Sequence, residues 1–413
     1  MTRAAQGTAT GAPPTAVSGR ATRGVSLSAL PSPHAGTAPP STAASPTAAT
    51  SASPSATSVP IAVDNSPAGR ARAAFAAMSR TQKIGQLFML GNPATGVDTS
   101  ALRVIASYDI GNVMLRGRST AGVAATARVS AALSRSIAQA TGHRAFVATD
   151  QEGGAVQVLR GPGFDTIPSA LLQGSWSVAA LRASGQRWGA QLVKAGVNLD
   201  LGPVLDVVPS YAFARLNPPI GAFNREYGYT TEVVSAHGVA FLQGLSASGV
   251  LGAVKHFPGL GRVNENTDTS PSVTDAMTAR GDPYLAPFQD AVDAGAPFLM
   301  MSTAYYSRID PLRPAAFSRT ITTGMVRGDL GFRGVIISDD LANARQVSAW
   351  SPGSRAVQFL AAGGDMVLSV NPLVVPAMVQ AVTARARADA AFSRLLDASV
   401  LRILRAKAVR GLL

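Results

Sequence analysis

The chain has 413 residues, of which 46% are hydrophobic and only 14% charged, so it can bury one large core. It contains no cysteine, which excludes disulfides, thiolate metal sites and a cysteine nucleophile. The net charge of +13 comes mainly from arginines scattered among alanines, and no basic run is interleaved with aromatic residues, so a nucleic-acid partner is not expected.

Residues 1–70 are Ala, Thr, Ser, Pro and Gly with almost no large apolar side chains. Such a segment cannot bury enough surface to offset its ordering entropy, and it is expected to be a disordered tail. It lacks the apolar run of roughly 7–15 residues that a signal peptide needs, and it has no cysteine to lipidate. Its stalk-like composition points to the cell envelope or to secretion, while the missing export signals leave the compartment open.

From residue 73 to 413 a single globular domain is expected. Apolar strand candidates occur at 84–90, 110–115, 145–148, 197–207 (split by Gly202 and Pro203), 250–254, 298–302, 335–338 and 366–370. Segments with helical spacing lie between them, among them 121–140, 178–195, 231–246 and 284–294. Strands alternating with helices imply parallel pairing, and eight such units in about 340 residues fit a (β/α)8 barrel better than an open sheet. No Gly-x-Gly-x-x-Gly run follows the early strands, and Leu330, Gly331 and Gly334 form a turn into a strand, the wrong context for phosphate. The last helix, about 390–413, is expected to pack across the barrel with its arginines in water.

In such a barrel the chemistry sits at the carboxyl ends of the strands. The third strand ends in Asp150-Gln151-Glu152-Gly153-Gly154, and the fourth unit supplies Asp200, Asp206 and Asn224-Arg225. The fifth ends in Lys255-His256 and the seventh in Asp339-Asp340. Single members have bland readings: Asp200 ties a loop, Asp206 caps a turn, Glu152 braces its loop from behind, and Arg225 pairs with Glu226 or Glu232. As a set they suit a hydroxyl-rich ligand, with carboxylates able to act as acid, base or nucleophile.

The segments IGQLFMLG, ATDQEGGAVQVLRGPGF, GVNLDLGPVLDV, KHFPGLG and GFRGVIISDDL, in that order, resemble the bacterial β-N-acetylglucosaminidases of glycoside hydrolase family 3 over residues 75 to 400. The resemblance implies a retaining glycosidase of the single-domain branch, acting on peptidoglycan or its fragments. It makes Asp339 the nucleophile, whereas alternation along the strand says only that Asp339 and Asp340 point to opposite faces. It also assigns substrate binding to Asp150, Lys255, His256 and Arg225. No cofactor, metal ion or transmembrane segment is expected. The partner is a carbohydrate, an N-acetylglucosaminide or a muropeptide, and a monomer is expected.

Two departures stand out. Where the family often has arginines after DQEGG, this chain has Ala155 and Val158, which leaves Arg160 as the nearest substitute. The family also places an Asp-Ser/Thr-His triplet after KHFPG, the histidine moving the proton. Here the histidines are His34, His143, His237 and His256, and none follows KHFPG. Counting from Gly261 without gaps puts Asp268 at that place, while a two-residue insertion puts Ser270 there, and Glu265 is a third option. A carboxyl with a raised pKa is a competent proton donor and a serine is not, so Asp268 is the expected acid/base. A carbohydrate-binding protein that lost proton transfer, a β-glucosidase of the same family, and an enzyme using phosphate in place of water as acceptor fit the same residues.

Overall fold

The computed structural model describes residues 64–413; the expected tail lies, up to residue 63, outside the described residues. Eight parallel strands close into a barrel in sequence order. They are β1 (Phe88–Pro93), β2 (Asn112–Arg116), β3 (Phe146–Thr149), β4 (Leu199–Asp200), β5 (Leu251–Phe257), β6 (Phe298–Met301), β7 (Val335–Asp340) and β8 (Met366–Ser369). A helical segment follows each, including Gly122–Thr141 after β2, Val178–Lys194 after β3 and Thr231–Ser248 after β4. The (β/α)8 barrel inferred from eight apolar runs is therefore the fold.

Local chemistry moves several boundaries. The run 84–90 is not one strand: Ser79 and Gln82 form a capping box that starts a helix at Arg80–Gln86, and β1 begins only at Phe88. The run 197–207 holds just two strand residues, because Gly202 and Pro203 interrupt it. Pairing resumes beyond them, where Lys255 N–H donates to Pro203 O and Leu205 N–H to Lys255 O. Helix Pro67–Ala77 straddles the expected boundary at 70–73: Ala71 and Ala74 are buried, and Arg70 donates to Ala408 O at 2.7 Å. Residues 68–71 thus already pack with the barrel domain.

The final helix, Ala390–Val409, closes the amino end of the barrel. One cation on it departs from the expected solvated face. Lys407 is fully buried and donates to Gln86 Oε1 and Gly111 O, the residues just before β1 and β2. Its ammonium lies 5.6 Å from the ring of Phe146, which meets Phe298 edge-on across the interior at 5.2 Å. With no carboxylate beside it, burial pushes the Lys407 amine down to about 7.

This sets a pH dependence. Between pH 7 and about 10.4 the unfolded lysine holds a proton that the folded one has released, so stability rises with pH across that window. Thermal unfolding of wild type and Lys407→Met, measured side by side from pH 6 to 10, should show wild type gaining on the variant as pH rises. A flat difference would mean that the amine stays charged in the fold.

Candidate active site

Strand ends, not loops alone, hold the polar cluster. Asp150 directly follows β3, Lys255 and His256 lie in β5, and Asp339 and Asp340 end β7. Together with Arg225 and Asp268 they line a cavity of about 390 Å³ at the carboxyl end of the barrel. Met114, Leu201, Met300 and Leu368 contribute apolar wall. Alternation would send the neighbours Lys255 and His256 to opposite faces, yet both line the cavity, and the peptide between them is cis. Asp339 and Asp340 likewise both line the cavity, at a register shift between Ile337 and Asp340 in the β7–β8 pairing.

The wall is organised by Glu152. It is 5% exposed, and Arg225 grips it with two N–H bonds, Nε to Oε2 at 2.9 Å and an Nη to Oε1 at 2.7 Å. Lys255 Nζ lies 2.6 Å from Glu152 Oε1 and 2.6 Å from Asp150 Oδ1. Burial would raise the Glu152 carboxyl, but the Arg225 and Lys255 charges outweigh it and hold it at about 2. Neither Glu226 nor Glu232 is the partner of Arg225. Glu226 is buried with no hydrogen-bond partner among the described residues, and burial pushes it up to about 7.

His256 is fixed from behind. Its Nδ1–H donates to Asp206 Oδ2 at 2.7 Å, and Asp206 Oδ1 accepts Leu260 N–H at 2.7 Å. The Arg225 guanidinium stands 3.4 Å from His256 Nε2, which assigns the lone pair to that nitrogen. Asp206 therefore both caps the turn and orients the imidazole. Asp200 does what its bland reading says: it is fully buried, accepts Gln151 N–H at 2.9 Å, and is pushed up by burial to about 7.

The three remaining carboxylates differ in how they are held. Asp340 accepts backbone N–H groups from Ala342, Val370 and Asn343. Asp339 accepts only the N–H of Asp340, at Oδ1, and its other oxygen has no partner among the described residues. Asp268 has no side-chain hydrogen bond among them either. Its loop is fixed by other groups: Asn266 Oδ1 accepts Asp268 N–H, while Thr267 O and Asp268 O accept the N–H groups of Gln346 and Arg345. Solvent reaches Asp268 at the cavity mouth, but loss of hydration there, reinforced by the negative charges of Asp339 and Asp340, pushes its carboxyl up to about 6.

No other histidine among the described residues approaches. His237 sits between Val233 O and Trp176 O, His143 lies toward Lys407 at the opposite end, and His34 is outside the described residues. Neither Glu265 nor Ser270 lines the cavity. Arg160 does not line it either; its guanidinium donates to Gly154 O at 2.5 Å and Gln157 O at 3.3 Å, stapling the ribbon Gln151–Gln157. Asn266, Thr267 and Asn343 do line it, and sequence reasoning passed over them because uncharged loop residues carry no pattern.

Residues 80–406 match the glycosyl hydrolase family 3 N-terminal domain. The chain belongs to glycosyl hydrolase family 3. A β-hexosaminidase of Xanthomonas oryzae pv. oryzae is 33% identical over 282 residues, 66% of this chain and 80% of that one. The structure of a β-N-acetylhexosaminidase from Beutenbergia cavernae DSM 12333 is 50% identical with a TM-score of 0.79, covering 81% of this chain and 99% of the other. A family 3 β-N-acetylglucosaminidase from Paenibacillus sp. str. FPU-7 is 29% identical with a TM-score of 0.75, covering 81% of this chain and 63% of that one. This family 3 chain is thus a glycoside hydrolase, and the reading of a pure carbohydrate binder falls away.

The family 3 cavity should depend on Glu152 far more than on Arg160. Glu152→Gln leaves Lys255 and Arg225 facing each other with one charge too few, and breaking such a buried pair costs about 3–5 kcal/mol. Arg160→Gln removes bonds to two carbonyls and should cost about 1 kcal/mol. Urea unfolding at pH 7 checks both values. The Glu152 contribution is full above its unfolded pKa near 4.5 and is lost as pH falls toward about 2, so the wild-type advantage over Glu152→Gln should shrink only in acid.

Proposed function

We propose that the protein is a retaining β-N-acetylhexosaminidase that cleaves N-acetylglucosaminides of peptidoglycan or its fragments. The observation that carries this reading is the unequal bonding of three neighbouring carboxylates: Asp340 is spent on backbone, while Asp339 and Asp268 present free oxygens to one cavity. The N-acetylhexosaminide specificity rests on the relatives from Xanthomonas and Beutenbergia, and the cell-wall substrate on the stalk-like tail and the resemblance.

In this mechanism the sugar lies against the apolar wall with its hydroxyls on Asp150, Lys255, His256 and Arg225. Asp339 attacks the anomeric carbon, forming a glycosyl ester as the glycosidic C–O bond breaks, and Asp268 gives its proton to the departing oxygen. Loss of the Asp339 charge then removes one of the influences that raise Asp268, so its carboxylate is free to take a proton from water attacking the ester. The cavity is otherwise rich in carboxylate, which favours the positive charge that develops on the sugar.

The nucleophile assignment predicts that Asp339→Ala keeps the fold and lowers turnover of an aryl N-acetylglucosaminide by on the order of 10⁴ or more. Asp340→Asn should be milder in turnover and show its effect in thermal stability. The reverse pattern would exchange their roles.

The acid/base assignment separates by leaving group. Asp268→Asn should cripple cleavage of a disaccharide far more than formation of the glycosyl-enzyme from an activated aryl glycoside, and azide should rescue the stalled second step. In wild type, kcat/KM on the disaccharide should fall as pH rises through about 6, because Asp268 must carry its proton, and that limb should vanish in the variant. Equal losses on both substrates without azide rescue would give Asp268 a structural role. Running each assay with and without phosphate decides the acceptor.

A further inference from the structure

We propose that the amino-terminal end of the barrel carries a second binding site, an arginine-rimmed apolar groove that docks on an acidic phospholipid surface and leaves the catalytic cavity facing away from it. Two hollows, of about 550 and 480 Å³, meet where β5, β6 and β7 begin, under the edges of helices Pro67–Ala77 and Ala390–Val409. They share Leu251, Pro297 and Val409, so they form one groove, and Val409 is 63% exposed. Its rim holds Arg182, Arg333 and Arg405, all exposed and all without a carboxylate partner among the described residues. The other rim arginines, Arg72 and Arg402, are paired with Asp64 and Asp365.

An apolar floor under unpaired guanidinium groups matches a ligand with an acyl chain and an anionic headgroup. The competing occupants fit worse. Residues 1–63 contain Arg3, Arg20 and Arg23 and no acidic residue, so the charge of the rim repels them. A nucleic acid would find no aromatic side chain in the groove on which to stack a base. No helix among the described residues is long and apolar enough to cross a membrane, so contact through this groove is peripheral.

Co-sedimentation of the full chain with vesicles tests this. Wild type should bind phosphatidylglycerol–phosphatidylcholine vesicles and not phosphatidylcholine alone, and binding should weaken with salt. Each rim arginine removed should lower partitioning about fivefold, so the triple variant Arg182→Gln/Arg333→Gln/Arg405→Gln should bind poorly while keeping wild-type aryl glycosidase activity. Val409→Asp should also weaken binding, whereas Arg3→Gln/Arg20→Gln/Arg23→Gln should retain most of it. The proposal is overturned if wild type ignores acidic vesicles, if the triple variant or Val409→Asp binds as well as wild type, or if the tail variant alone abolishes binding.

Discussion

At the carboxyl end of the barrel everything leans on one buried carboxylate held between two cations. Moving Glu152, Lys255 and Arg225 out of water is expensive, and a single bridge would barely offset it. Here the geometry supplies a fork from the arginine and a lysine shared with Asp150, with only 3% of the Lys255 side chain exposed. Glu152 follows β3, Lys255 lies in β5, and Arg225 sits on the long excursion after β4. Their charges therefore stitch three separate segments into one wall. A wall built this way cannot flex far without stranding a charge, which is the rigidity that a sugar-binding surface needs.

That balance also explains how the carboxylates are divided. Those that build the wall are saturated: Glu152 by cations, Asp206 by His256 and the backbone, Asp340 by three N–H groups. Asp339 and Asp268, which keep free oxygens among the described residues, face the cavity. In the proposed mechanism these two are the nucleophile and the proton carrier, and the fully bonded carboxylates are struts. The distinction needs no difference in residue type. It lies in which backbone amides happen to point at each side chain.

The two ends of the barrel handle charge differently. The cavity end concentrates carboxylates in a protein whose overall charge is +13. The opposite end buries a single lysine without a counter-ion and leaves arginines unpaired around an apolar groove. Segregating charge in this way orients the molecule toward a surface as well as toward a substrate.

The sequence by itself determined the barrel, because eight apolar runs separated by helical segments admit few other closed arrangements. It also indicated which strand ends meet at one polar cavity, since charged residues at the ends of buried strands need a shared polar environment. It could not divide Asp339 from Asp340 except by resemblance, because alternation assumes a regular strand and this one shifts register where it matters. Nor could it pair Arg225 with Glu152, which lies 73 residues away, when Glu226 stands beside it. The resemblance left Arg160 as the nearest substitute for the family's arginines, and two nearby carbonyls hold its guanidinium on the ribbon outside the cavity. Arg160 is held by carbonyls of its own ribbon, but Glu152 for Arg225 and the Val370 N–H for Asp340 come from distant segments. Closure of the barrel brings those distant groups within hydrogen-bonding distance, so there the tertiary structure chooses among residues of the same type.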